Sequence, residues 1–60
     1  MLIEAWQVKS TNGRQTAYYL EEQDARNQSD IRDVASITHG EFDIKEADII
    51  ELNKYHYLVL

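Results

Sequence analysis

The chain of 60 residues contains no cysteine, no proline and only two glycines. The missing cysteine excludes a disulfide-stapled scaffold and any zinc or iron–sulfur site built on thiolate ligands. The sequence has no glycine-rich loop of the kind that cradles phosphates. No apolar run approaches the roughly 20 residues that a membrane-spanning helix needs, and no basic segment marks a signal peptide. We therefore expect a soluble, cytoplasmic protein that holds no cofactor.

Basic residues are also scarce. Six lysines and arginines stand against eleven acids, which gives a formal net charge of -5 and a pI near 4.7. Nucleic-acid affinity depends on basic side chains that neutralise phosphates, so direct nucleic-acid binding is not expected. Residues 21–51 hold ten acids against three bases, a net of -7. These acids are candidates for an acidic binding surface: Glu21, Glu22, Asp24, Asp30, Asp33, Glu41, Asp43, Glu46, Asp48 and Glu51.

The short chain limits the size of the core. A domain of about 60 residues buries only about 60% of the surface that its unfolded chain exposes. The hydrophobic content of 43% is nevertheless that of an ordinary globular protein. The sequence therefore predicts one small domain over residues 1–60 with a marginal core.

Residues 2–10 alternate between two sets of side chains, which is typical of a half-buried strand. Asn12-Gly13 follows, a strong hairpin signal, because a type I′ turn requires positive φ at both central residues. Residues 14–20 are then the returning strand. The sequence predicts a β-hairpin over residues 2–20.

A two-residue loop fixes the register of this hairpin, with Val8 opposite Ala17 and Trp6 opposite Tyr19. We expect the face that carries Trp6 to be the core face, because its apolar load is larger. That face holds Leu2, Trp6, Val8, Ala17 and Tyr19. The opposite face, which includes Ile3 and Tyr18, is expected to stay partly exposed.

Residues 21–38 lose the alternation and are predicted to contain helix. Glu21, Glu22 and Asp24 suit the positive N-terminal end of a helix. A thin stripe at helical spacing follows: Ala25, Gln28, Ile31, Val34, Ala35 and Thr38. Ser29 is a candidate N-cap for a second short helix, so one helix and two pieces both fit.

Two structures fit residues 41–60. Asp43 and Glu46 resemble a capping box, which would open a helix over residues 43–54. In the alternative structure, a tight turn at Asn53-Lys54 joins two strands. The pairs would then be Leu52 with Tyr55, Ile50 with Tyr57 and Asp48 with Val59. We favour this hairpin, because isoleucine, tyrosine and valine favour strands, and we expect the third strand to begin near residue 41.

The predicted fold class is α+β, a small ββαββ domain in which a mostly antiparallel sheet carries one helical segment on one face. The other face of the sheet would still expose Ile3, Tyr18 and Leu58. An uncovered apolar face on so small a domain is usually a contact surface.

The sequence offers little catalytic chemistry. Ser36 and His39 lie three residues apart, but no nucleophile motif surrounds the serine. Gly40 is predicted to end the helix in the left-handed conformation, and His39 beside it would complement the helix dipole. The carboxylates of residues 43–48 lack the spacing of a calcium loop. We therefore assign no catalytic, cofactor-binding or metal-binding residue and do not expect an enzyme.

Two functions fit these observations. The first is a non-catalytic protein-binding module that self-associates as a symmetric dimer or binds another protein. Its candidate contact residues are Tyr18, Tyr55, His56, Tyr57 and Leu58. The alternative is an electrostatic inhibitor, of the kind that phages and mobile elements encode, whose acidic residues occupy a basic site on a partner.

Overall fold

The computed structural model of the chain describes residues 1–28, 31 and 33–60. Within these ranges the elements are, in chain order, β1 (Leu2–Ser10), β2 (Thr16–Tyr19), α1 (Glu22–Asn27), β3 (Val34–Asp43), α2 (Glu46–Tyr55) and β4 (Tyr57–Val59). The strands form one antiparallel sheet in the order β3-β1-β2-β4. The predicted fold class, a small α+β domain with an antiparallel sheet and a helix packed on it, is confirmed.

The first hairpin has the predicted register. Val8 pairs with Ala17 and Trp6 pairs with Tyr19. Strand alternation and the distance between the two apolar runs fix this pairing, because a slip by one residue would turn the core side chains to the opposite face.

The turn of this hairpin differs from the predicted type I′ turn. Ser10 donates its N–H to Gln15 O at 3.1 Å, so four residues form the loop. Of the predicted pair, Gly13 alone has positive φ, at 70°. The Asn12 side-chain oxygen accepts hydrogen bonds from the Ser10 hydroxyl at 2.6 Å and from Arg14 N–H at 2.9 Å. Since the side chain of Asn12 supports the turn, its backbone does not need the left-handed conformation.

The core lies on both sides of the sheet, in two clusters. The first, on the face that carries Trp6, consists of Val8, Ala17, Tyr19, Ala25 and Ile31, with Trp6 and Ile37 packed against it. The second, on the face that carries Tyr18, consists of Ile44, Ile49, Leu52 and Leu58, with Ile3, Tyr18, Leu20 and Phe42 against it. Helix α1 contributes Ala25 to the first cluster, and α2 contributes Ile49 and Leu52 to the second. The prediction of an uncovered second face is therefore wrong, because α2 packs on it.

The predicted hairpin over residues 48–59 is also wrong, because residues 46–55 form helix α2. The helix turns Ile49 and Leu52 inward, with 8% and 0% of their surface exposed, while Ile50 between them is 70% exposed. Lys45 O accepts the N–H groups of Asp48 and Ile49 and so closes the first turn. The helix starts at Glu46 and ends at Tyr55, and the next residue, His56, caps it with a left-handed φ of 66°.

Helix α1 is much shorter than the predicted helical segment. It ends at Asn27, and residues 34–38 belong to β3. Gly40 does not end a helix: it lies inside β3 and pairs with Ala5. Val34, Ile37 and Thr38 are β-branched, and the sheet offers Ile37 a place against the first cluster. The suggested cap at Ser29 falls outside the described residues, and neither described helix has the length and apolar content for a bilayer crossing.

Candidate protein interface at the sheet edge

The hydrogen bonds that flank β4 determine which of its backbone groups are used within the sheet. Leu20 donates its N–H to His56 O at 3.2 Å, and Leu60 donates its N–H to Thr16 O at 2.8 Å. Hydrogen-bonded pairs in an antiparallel ladder recur at every second residue. The even-numbered residues of β4 therefore direct their backbone groups toward β2.

The odd-numbered residues of β4 direct their backbone groups away from the sheet. Leu58, which pairs with Tyr18, bonds inward. Tyr57 and Val59 present two N–H donors and two C=O acceptors at the outer edge, and no described strand pairs with this edge. A row of unpaired backbone groups is a template for an additional strand.

A groove lies beside this edge, between β4 and α2. Its volume is about 470 Å³, and its lining consists of Glu51, Tyr55, Tyr57, Leu58 and Val59. Tyr55 is 54% exposed, Tyr57 41% and Val59 38%. Glu51 contributes a carboxylate to this lining, whose exposed surface is more polar than apolar. The groove therefore suits a partner that combines polar and apolar contacts with backbone pairing.

Aromatic contacts hold the rim of the groove in place. Tyr57 stacks on Tyr19 with ring centroids 6.0 Å apart and planes 17° from parallel. The two are directly opposite in a non-hydrogen-bonded pair, where side chains approach most closely. The Lys54 ammonium lies 5.3 Å from the centroid of the Tyr55 ring. The Tyr57 ring is thus held on the face of the sheet opposite α2, and the Tyr55 ring lies at the end of α2 beside Lys54. Both rings are stiff groups, which lose little conformational entropy on binding.

The structure brings three of the five predicted contact residues to this groove. Tyr55, Tyr57 and Leu58 line it, although the Leu58 side chain is only 3% exposed and belongs to the second cluster. His56 is exposed at the junction of α2 and β4. Tyr18 lies one strand away, half-buried, where its hydroxyl accepts a hydrogen bond from Gln7 Nε2 at 3.1 Å.

Sequence reasoning missed Val59 as a contact residue. The signal was present, because Tyr57 and Val59 alternate with Leu58 at the strand period. A strand assignment for residues 57–59 alone, with Leu58 inward, would have placed Val59 beside Tyr57.

The predicted acidic surface is divided among separate parts of the molecule. One group surrounds the start of α1 (Glu21, Glu22 and Asp24), a second lies on β3 (Glu41 and Asp43) and a third on α2 (Glu46, Asp48 and Glu51), while Asp33 precedes β3. Helices α1 and α2 cover opposite faces of the sheet. Asp30 lies outside the described residues. The described acids are therefore not gathered on one face, which gives the electrostatic alternative less support.

The acidic group on β3 lies next to side chains of the neighbouring strand β1. Glu4 lies directly opposite Glu41, and Trp6 lies directly opposite His39. The Trp6 and His39 rings stack at 4.3 Å with an angle of 18° between their planes. His39 Nε2 is 3.5 Å from Glu4 Oε1. These side chains form a mixed aromatic and acidic patch beside the β3 edge.

Within the described residues, no three His, Asp or Glu side chains form a group that could hold a metal ion. Comparison of the chain with known protein families, with characterised proteins and with solved structures finds no match.

Proposed function

We propose that this chain is a small protein-binding module that acts through the outer edge of β4, and that its partner there is a second copy of the same chain. The proposal depends on the outer edge of β4, which is unpaired within the described residues. Tyr57 and Val59 present backbone groups that no described strand pairs with, beside a groove of mixed polar and apolar lining. Strand addition at such an edge gives affinity through the backbone and specificity through the neighbouring side chains.

The spacing of the outward residues is self-complementary. A two-fold axis beside Leu58 sets Tyr57 of one copy opposite Val59 of the other, and the reverse. Both residues direct their N–H and C=O outward, so the two pairs would form four backbone hydrogen bonds. The two sheets would then join into one continuous sheet across an isologous contact.

Charge favours β4 over the other sheet edge for self-association. The outward side of β3 includes Glu41 and Asp43, and charged residues on an edge strand hinder pairing with other chains. At the β4 edge the corresponding residues, Tyr57 and Val59, are uncharged. The strand is only three residues long, so we expect a weak, concentration-dependent dimer.

Light scattering coupled to size exclusion tests this proposal over a low to high micromolar concentration series. The parent chain should move from its monomer mass of 7.0 kDa toward twice that mass. Val59→Lys places two like charges near the two-fold axis and should weaken association about tenfold or more. Leu2→Lys is the matched control, because Leu2 is an apolar residue of β1 that is 65% exposed.

Two outcomes would contradict the proposal. A mass of 7.0 kDa at every concentration would exclude self-association. Equal weakening by Val59→Lys and Leu2→Lys would show that the dimer does not use the β4 edge.

A further inference from the structure

We propose that the outer edge of β3 binds an extended basic segment of a different protein by strand addition. Ile44 donates its N–H to Met1 O at 2.9 Å, which fixes the alternation of the β1–β3 ladder. The even-numbered residues from 36 to 42 bond toward β1. The odd-numbered residues face outward, and no described strand pairs with them: Ile37, His39, Glu41 and Asp43.

The length of this edge makes it a larger backbone template than β4. Four consecutive outward residues offer four N–H donors and four C=O acceptors along residues 37–43. The side chains of these four residues point to the face that carries Trp6. An added strand would therefore place every second side chain in a row along the patch of Trp6, His39, Glu4 and Glu41.

The charges of this patch select a basic occupant. Glu4 and Glu41 form a non-hydrogen-bonded pair, the arrangement in which opposing side chains are closest. Like charges directly opposite each other destabilise a sheet. A lysine or arginine on the added strand would stand beside Glu41, within reach of Glu4, and would relieve this repulsion. The Glu4 carboxylate lies 3.5 Å from His39 Nε2, so a cation on the added strand would chiefly be the partner of Glu41.

The aromatic stack adds a second contact for the same kind of side chain. The Trp6 and His39 rings lie parallel next to the carboxylates, and the His39 side chain is 45% exposed. Lysine and arginine pack their aliphatic stems and cationic groups on such ring surfaces. A phosphate backbone, by contrast, would be repelled by the carboxylates.

The register gives the partner a defined pattern. In an antiparallel added strand, the residue opposite Asp43 comes first and the residue opposite Ile37 comes last. A basic residue is expected opposite Glu41, an aromatic or polar residue opposite His39, and an apolar residue opposite Ile37. The Asp43 carboxylate already pairs with the N-terminal ammonium of Met1, so a polar residue suffices opposite it. The signature is a basic residue followed four positions later by an apolar residue.

A synthetic peptide of about nine residues tests the proposal, with lysine at its fourth position, tyrosine at the sixth, valine at the eighth and threonine elsewhere. Binding is followed by the emission of Trp6, the single tryptophan of the chain, and by amide shifts in ¹⁵N-resolved NMR spectra. The shifts should concentrate on residues 37–43. Methylation of the backbone nitrogens that face β3 should abolish binding, because strand addition requires those N–H groups.

Charge variants supply the second arm of the test. Glu41→Gln should weaken peptide binding about two- to fivefold, as expected for one exposed ion pair. Glu46→Gln removes the same charge from an exposed position at the start of α2 and should leave binding unchanged. Repeating the titration with Val59→Lys keeps the β4 edge out of the measurement.

Three outcomes would overturn the inference. The first is equal binding of the methylated peptide, which would show a purely electrostatic contact. The second is shifts centred on β4 or α2 instead of residues 37–43. The third is a doubled mass of Val59→Lys that falls when the peptide is added, which would show that a second copy is the natural occupant of β3.

Discussion

Substitutions of single side chains in residues 46–55 distinguish helix α2 from the hairpin that the sequence predicted there. In the helix, Leu52 is fully buried and Ile50 is 70% exposed. In a hairpin with its turn at residues 53–54, Ile50 and Leu52 would share one apolar face. The two structures therefore predict opposite results for Ile50→Ala.

The magnitudes follow from burial. Truncation of a buried leucine to alanine destabilises a domain by about 2–5 kcal/mol, through lost transfer energy and the cavity left behind. A domain of this size has a total stability of roughly 3–9 kcal/mol. Leu52→Ala should therefore remove a large part of the stability. Ile50→Ala should change the free energy of unfolding by less than about 0.5 kcal/mol, since the side chain is exposed and alanine favours helix.

Urea unfolding, followed by far-UV circular dichroism and by Trp6 emission, measures both effects. Leu52→Met keeps the volume of the side chain and should cost less than about 1.5 kcal/mol, so it remains measurable if Leu52→Ala does not fold. A loss of about 2 kcal/mol or more with Ile50→Ala, the size expected for a buried isoleucine, would refute the helical placement of this segment.

Three further predictions concern backbone conformation and the aromatic stack. Gly13→Ala should destabilise the chain by about 1 kcal/mol, because φ is 70° at Gly13. Gly40→Ala is its control: the added Cβ would meet its nearest neighbour at 4.0 Å, and chemical denaturation should show almost no loss. His56→Gly should raise the unfolding free energy by about 1 kcal/mol, since φ is 66° there, and an unchanged urea midpoint would contradict this. His39→Ala should weaken the near-UV dichroism of Trp6, because it removes the stacked ring, whereas His56→Gly should leave that signal intact.

The first hairpin was predictable because its signals are local and agree with one another. The alternation in β1 and the Asn12-Gly13 dipeptide specify the same register, and Val8 and Ala17 are both fully buried as a result. The type of turn was not predictable from the dipeptide, because the side chain of Asn12 competes with its backbone for the hydrogen bonds of the loop.

The segment of residues 31–38 was wrongly predicted as helix because its apolar residues fit both a helical period and a strand period. Ile31, Val34 and Thr38 fit a helical stripe, yet the segment from Val34 pairs with β1 instead. The energy of that pairing is tertiary: Ile37 packs against a cluster formed by residues far away in the sequence. Local spacing carries no information about this partner, and tertiary context overrides a weak propensity.

Helix α2 was wrongly predicted as part of a hairpin because its helical pattern of apolar residues is weak. Its buried residues are Ile49 and Leu52, and the most misleading apolar residue, Ile50, is largely exposed. Three of the predicted contact residues, Tyr55, Tyr57 and Leu58, nevertheless line the groove, whereas Tyr18 lies one strand away. The groove could be predicted only together with helix α2, since Glu51 and Tyr55 of that helix form one of its walls.

The strand order has a kinetic consequence. The β1–β2 hairpin closes over a short loop, whereas β3 and β4 then join opposite sides of the same two-stranded ribbon. Closure of distant segments is slower than closure of a short loop, so the attachment of β3 and β4 to this ribbon should limit the refolding rate. Because the chain contains no proline, this step is not masked by prolyl isomerisation.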